Sequence, residues 1–173
     1  MYLRKLKEKD AEPMLQWMHD ANVVKRMGAD FMKMTIDDCL HFISVANKDE
    51  GTNLHRAICS ENNEYLGTIS LKNISVKDSN AEYAVVLCTK AMGTGVAFDA
   101  TKKILKLGFE ELHLHKVYLC VKNSNIRARR FYEKVGFHEE GIFREQIKSD
   151  NGIYENLIWL AMLENEYKEL LMK

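Results

Sequence analysis

Hydrophobic and polar positions divide this chain into segments of two different periods. Tyr2 to Leu6 alternates weakly and predicts a first strand. Ala11, Met14, Leu15 and Met18 recur at helical spacing, which predicts a short amphipathic helix from about Asp10 to Asp20. Thr35 followed by Asp38 has the form of a capping box. Ile36, Leu40 and Ile43 then share one face of a second helix running to about Ala46. Leu54–Cys59 and Tyr65–Leu71 read as strands around a polar turn, and Ala81–Cys88 as a third.

After Val96 the period changes. Val96, Ala100, Ile104 and Gly108 fall four apart, with Leu105 and Phe109 beside them, so one stripe of a longer helix is buried. Its lysines, Lys102, Lys103 and Lys106, form the solvated face. Lys116–Lys122 returns to strand, and Asn123–Val135 is helical with Ala128, Phe131, Tyr132 and Val135 inward. Gly136 stops that helix. Phe137–Ile147 and Ile153–Leu163 close the pattern as a hairpin turning at Asn151-Gly152. The order predicts an α/β fold: one mixed, mostly antiparallel central sheet flanked by helices, in a single domain over residues 1–173.

Composition narrows the function. The 173 residues carry 25 basic and 25 acidic side chains, so net charge is zero and no global field favours nucleic acid. No apolar run approaches a membrane span, and the first residues do not read as a signal peptide. Cys39, Cys59, Cys88 and Cys120 are widely spaced, which points to reduced core thiols and a cytoplasmic protein. His113 and His115 have no nearby Cys or Asp partner, so no metal is expected.

Two stretches carry chemistry. The first, Thr89-Lys-Ala-Met-Gly-Thr-Gly95, links a strand to a helix start. The first N–H groups of a helix lack intrahelical partners, and the dipole adds positive potential there. Such an end binds phosphate, and glycines let the backbone approach it. A plain turn is the other reading. The second stretch, Asn123-Ser-Asn-Ile-Arg-Ala-Arg-Arg-Phe-Tyr-Glu-Lys-Val-Gly-Phe137, opens a helix with asparagines and breaks it at Gly-Phe.

Together these resemble the GNAT superfamily of acetyl-CoA-dependent N-acetyltransferases. Lys90, Gly93 and Gly95 stand where that family has Gln/Arg-x-x-Gly-x-Gly/Ala. Asn125, Ala128, Tyr132, Gly136 and Phe137 match its later motif at every defined position. The flanks also look like the branch holding ribosomal-protein N-terminal and spermidine N-acetyltransferases.

The resemblance implies that the loop, Lys90, Met92, Gly93, Thr94, Gly95, Val96 and Ala97, holds the pyrophosphate of acetyl-CoA. It implies that Val86, Leu87 and Cys88 line the pantetheine arm, with an N–H near Leu87 or Cys88 facing the thioester oxygen. Lys90 departs from the usual Gln or Arg. Asn125 is assigned to the cofactor, or to the helix cap. Tyr132 is assigned as general acid, or as a core tyrosine. Glu82 is the candidate base, or a surface ion-pair partner. Arg127, Arg129 and Arg130 either reach the adenosine phosphates or form a solvated face.

The expected activity is direct acetyl transfer to a primary amine of a small molecule, an amino sugar or a polyamine. A protein N-terminus as acceptor, and a non-catalytic acyl-CoA sensor, are the alternatives. In the family the first two helices and the final hairpin shape the acceptor site. Here they carry Trp17, His19, Met27, Phe31, Met32, Met34 and Tyr154, while Asp30, Asp37, Asp38, Asp49 and Glu50 form either an acidic patch for a polyamine or an ordinary solvated face. A homodimer is the expected protein partner, and the apolar strand Leu157–Leu163 is either its interface or a buried sheet strand.

Overall fold

A computed structural model describes residues 1–24, 27, 31–48, 51–148 and 152–172. Among the described residues seven strands form one sheet: β1 (Tyr2–Arg4), β2 (Leu54–Cys59), β3 (Tyr65–Ser75), β4 (Asn80–Leu87), β5 (Lys116–Lys122), β6 (His138–Lys148) and β7 (Tyr154–Leu163). Their order is β1-β2-β3-β4-β5-β7-β6. Only β4 and β5 run parallel; every other pair is antiparallel. The mixed, mostly antiparallel sheet anticipated from the pattern is therefore the one observed.

Among the described residues six α-helices accompany it: α1 (Ala11–Met18), α2 (Ala21–Val24), α3 (Ile36–Ala46), α4 (Val96–Lys106), α5 (Ile126–Val135) and α6 (Glu164–Leu171). Because strand side chains alternate between faces, the sheet feeds two cores. Ile58, Ile69, Leu71, Ala81 and Tyr83 pack with Ile104, Leu105 and Val135 on the α4/α5 side. Ala57, Cys59 and Tyr65 pack with Met14, Trp17, Cys39 and Ile43 on the α1/α3 side.

Local signals set the helix ends. Thr35 Oγ1 accepts from Asp38 N at 3.3 Å while Asp38 Oδ2 accepts from Thr35 N at 2.8 Å, completing the capping box. Asn125 Oδ1 accepts from Ala128 N at 3.2 Å and opens α5. Gly136, with φ +111°, closes it, and Phe137 enters the core. The α4 stripe Ala100, Ile104, Leu105, Gly108 and Phe109 is buried, though the last turn widens into a π-helix over Leu107–Glu111.

Three sequence expectations change. On α3 the buried residues are Cys39 and Ile43, while Ile36 and Leu40 are exposed. Two stripes of i,i+4 spacing lie side by side there, and packing against α1 selects the second. Cys39 and Cys59 are core thiols, but Cys120 is exposed on the sheet face opposite Val117 and Leu119. The helix α6 has no forerunner in the hydrophobic pattern. It is held by Leu163 N donating to Glu166 Oε2 at 2.7 Å and by Tyr167 stacking on Phe109. The expected turn at Asn151 lies outside the described residues, as do Asp30, Asp49 and Glu50.

Candidate active site

The site originates in the parallel pair. β4 and β5 register only at Asn80↔Lys116, Ala81↔Val117 and Glu82↔Tyr118. Beyond that point both strands continue, β4 to Leu87 and β5 to Lys122, without pairing. β4 stays bound to β3 and β5 to β7, so the sheet opens as a V. A cavity of about 670 Å³ fills the opening. Val85, Val86 and Leu87 form one arm, and Cys120, Val121 and Lys122 the other. That volume suits an organic ligand of cofactor size.

At one end lies the glycine loop. Gly93 and Gly95 adopt φ +82° and +89°, and Gly95 is the N-cap of α4. A left-handed backbone at both positions is what only glycine takes without strain. The turn leaves the N–H groups of Gly93, Thr94, Gly95, Val96 and Ala97 without a hydrogen-bond partner among the described residues; the first helix amide that is used is Phe98 N, bonded to Gly95 O at 2.9 Å. Consecutive unpartnered amides at a helix N-terminus make an anion cradle. Arg127 reaches across from α5, its Nη2 lying 3.6 Å from where a Cβ on Gly93 would sit. Lys134 Nζ lies 5.5 Å from the centroid of the Phe98 ring, beside the same loop. Every charged residue lining the cavity, Lys72, Lys122, Arg127 and Lys134, is basic among the described residues.

Tyr132 enters from α5. Its ring makes edge contacts with Tyr83, Phe131 and Phe137, at centroid distances of 5.9, 5.2 and 5.9 Å. The hydroxyl has no partner among the described residues, and the side chain lines the cavity. Burial pushes its pKa up to about 12. Tyr83 beneath it is fully committed: its hydroxyl meets Thr101 Oγ1 at 2.7 Å, and Thr101 in turn donates to Ala97 O at 2.6 Å. Thr101 having spent its proton, Tyr83 is the donor. Two tyrosines thus stand in contact, one tied into the fold and one open to the cavity.

The remaining expected residues divide. Val86, Leu87, Met92, Gly93, Gly95, Ala97, Asn125 and Tyr132 line the cavity. Val96 packs into the core and Thr94 Oγ1 closes the turn on Ala91 O at 2.8 Å, so both present only backbone. Cys88 and Lys90 line a neighbouring recess of about 230 Å³ with Trp17 and Asp20. Lys90 is ion-paired with Glu64, and Arg127 takes the place near the loop that Lys90 was expected to hold. Cys88 N donates to Leu66 O at 2.8 Å, which leaves Leu87 as the candidate oxyanion donor.

Asn125 is both a cap and a lining residue. Of the described arginines, Arg129 is engaged by Asn123 Oδ1 at 2.9 Å and Glu139, and only Arg127 lines the cavity. Glu82 does not line the cavity; Lys72 Nζ lies 2.7 Å from its Oε1, and Asn73 Nδ2 lies 2.9 Å from its Oε2. Of the described residues expected at the acceptor side, Met27 alone lines the cavity, joined by Val23, Ile147 and Leu157. Trp17 is buried, its Nε1 donating to Tyr65 Oη at 3.2 Å, and Asp38 is spent on the α3 cap. The lining residues Phe98, Phe131, Lys134 and Val121 carried no motif; only their adjacency to the loop and to Tyr132 pointed toward the site.

The sequence model of the acetyltransferase (GNAT) domain matches residues 1–138. The chain belongs to the GNAT acetyltransferase family. It is similar to YdaF of Bacillus subtilis, whose name assigns it provisionally to ribosomal N-acetylation, at 31% identity over 59% of this chain. It is 32% identical, over 60% of its length, to the spermidine N(1)-acetyltransferase of Escherichia coli K12. Each match spans 55% of that relative, about half its length. Among solved structures, the spermidine N-acetyltransferase of Vibrio cholerae in complex with CoA and spermine superposes with a TM-score of 0.87, at 23% identity, over 96% of this chain and 97% of that one. That likeness is one of fold. Among the described residues no helix is long and apolar enough to cross a membrane, and no group of three His, Cys, Asp or Glu could hold a metal ion.

Proposed function

We propose that this protein transfers the acetyl group of acetyl-CoA to a primary amine carried by a small molecule. The observation that carries the reading is the run of unpartnered amides from Gly93 to Ala97 at one end of a cavity whose wall holds the free hydroxyl of Tyr132. An anion cradle and an unpartnered acid on one opening fit a substrate with phosphates at one end and a thioester further in.

The residues fit acetyl-CoA, which when bound would supply an activated thioester. The loop amides and Arg127 hold its phosphates. Val85, Val86 and Leu87 offer an apolar arm and, on the unpaired edge of β4, backbone groups for the pantetheine. The N–H of Leu87 stabilises the oxyanion that develops on the carbonyl. The acceptor must lose a proton before attack, because an alkylammonium with a pKa near 10.4 is charged at neutral pH. Glu82 takes that proton, directly or through water. The new N–C bond forms as the C–S bond breaks, Tyr132 protonates the leaving thiolate, and the second proton shed by the acylated nitrogen returns through solvent to the Tyr132 phenolate. Its pKa of about 12 keeps the phenol protonated throughout the working range.

Relatives named for spermidine support a polyamine among the acceptors, and an amino sugar is the other small amine to test. The experiment is thiol release from acetyl-CoA against spermidine, spermine, nucleotide-linked amino sugars and peptides with free N-termini. Turnover on the amines supports the proposal. Turnover confined to peptides makes the protein an N-terminal acetyltransferase. Silence across the panel, with acetyl-CoA bound tightly, points to an amine outside the panel or to a sensor.

A further inference from the structure

Glu82 already has a primary ammonium bound to it. Lys72 Nζ sits 2.7 Å from Oε1, and Asn73 Nδ2 holds Oε2 at 2.9 Å. The two strands set this pair directly opposite each other, Lys72↔Glu82, at the last rung before the V opens. Lys72 lines the cavity and Glu82 does not, so the carboxylate is approached past the lysine. On the other flank Tyr118 faces Glu82 in register and stacks on Trp159 at 4.9 Å, an aromatic wall beside the charge. A carboxylate held in place by an amide is a seat for an alkylammonium.

We infer that Glu82 and Asn73 form the seat for the acceptor's ammonium, and that Lys72 occupies this seat as a tethered placeholder until an amine displaces it. The inference rests on the reading of Glu82 as the base in the proposed transfer. An incoming amine meets Glu82 in the position Lys72 vacates. Its proton then passes to Oε1, leaving a neutral amine and a neutral carboxylic acid at the edge of the V where the thioester is expected. The seat recognises one ammonium on an alkyl stem, the chemistry of the lysine it now holds. It selects primary alkylamines over amines with an adjacent carboxylate or phosphate, which Glu82 repels.

The arrangement makes the lysine a competitor of the substrate. The pair is part-exposed, with side chains 35% and 30% accessible, so the competition is modest. An ion pair of this kind shifts an equilibrium by a few-fold, and removing it raises apparent affinity by the fraction of sites it blocks, about two- to fivefold.

The test compares Lys72→Met, Lys72→Arg and Glu82→Gln in steady-state transfer to spermidine, with calorimetric titration of spermidine into the CoA-loaded protein as a second readout. Lys72→Met should lower the KM and Kd for spermidine about two- to fivefold while leaving the KM for acetyl-CoA alone. Lys72→Arg keeps the cation on Glu82 and should hold both constants at or above the wild-type values. Glu82→Gln should weaken spermidine and slow turnover. An unchanged or raised spermidine KM in Lys72→Met overturns the placeholder. If Glu82→Gln still slows turnover in that case, the base survives and only this inference falls. If Glu82→Gln changes neither kcat nor KM, the base and the seat fall together. Absence of heat from spermidine with every variant overturns the seat for this amine.

Discussion

Replacing Tyr132 by phenylalanine separates chemistry from packing, because the two depend on different atoms of one side chain. The ring contacts Tyr83, Phe131 and Phe137, and all three contacts survive in phenylalanine. The hydroxyl has no hydrogen-bond partner among the described residues, so no hydrogen bond worth about 1 kcal/mol is lost. Stability should stay within about 0.5 kcal/mol of wild type on that ground. Turnover should not. Loss of a positioned general acid costs about 10²- to 10⁴-fold, or about 3–5 kcal/mol of transition-state stabilisation.

The assay is thiol release at saturating acetyl-CoA from pH 6 to about pH 10, with cofactor affinity measured by calorimetry on the same samples. The acid is active when protonated. With its pKa held near 12 by burial, its ionisation sets no alkaline limb within that window, and kcat should not fall there on its account. Cofactor affinity should be unchanged, since phosphate binding lies at the loop. Unchanged turnover in Tyr132→Phe would refute the assignment outright. A large loss of thermal stability would refute the claim that the hydroxyl is unpartnered.

Other substitutions test the rest of the site. Arg127→Ala should raise the KM for acetyl-CoA about five- to tenfold with kcat retained, by an amount that shrinks at high salt; an unaltered KM would remove Arg127 from the phosphate end. Asn125→Ala should cost about 1 kcal/mol of stability as a lost cap, measured by urea denaturation, and should also raise the acetyl-CoA KM; a stability loss alone would reduce Asn125 to its cap. Gly67→Ala would put a Cβ 2.2 Å from Val86 O, on the β4 arm of the cavity. The backbone must shift there, at a cost of about 2–4 kcal/mol that a thermal melt will show; a wild-type melting temperature would mean that the close approach is not needed.

Much of the framework was legible because its causes are local. The Thr35–Asp38 box, the Asn125 cap and the Gly136 stop act within a turn of backbone, and each appears where the spelling places it. Lys116–Lys122 is a strand at its anticipated limits, since its alternate residues Val117, Leu119 and Val121 are buried. The loop glycines were readable for the same reason: left-handed φ is a property of the residue itself. What could not be read depends on partners far away in the chain. α6 has little local pattern of its own, and its anchor is Phe109 on another element, 58 positions before Tyr167. Lys90 looked like a phosphate ligand, but Glu64 lies within its reach and Arg127 within the loop's.

The sequence alone therefore determined most of the elements, the ends set by local caps and two motifs specific enough to name a family, because capping, periodicity and glycine stereochemistry operate over a few residues. The tertiary structure decided which side chains meet. It ended the β4–β5 pairing at Glu82↔Tyr118 and so opened the cavity. It left Tyr132 free while tying Tyr83 to Thr101, and it set Lys72 on Glu82. Strand register and splay arise from the packing of the whole sheet against helices on both faces, and no local stretch of residues encodes them.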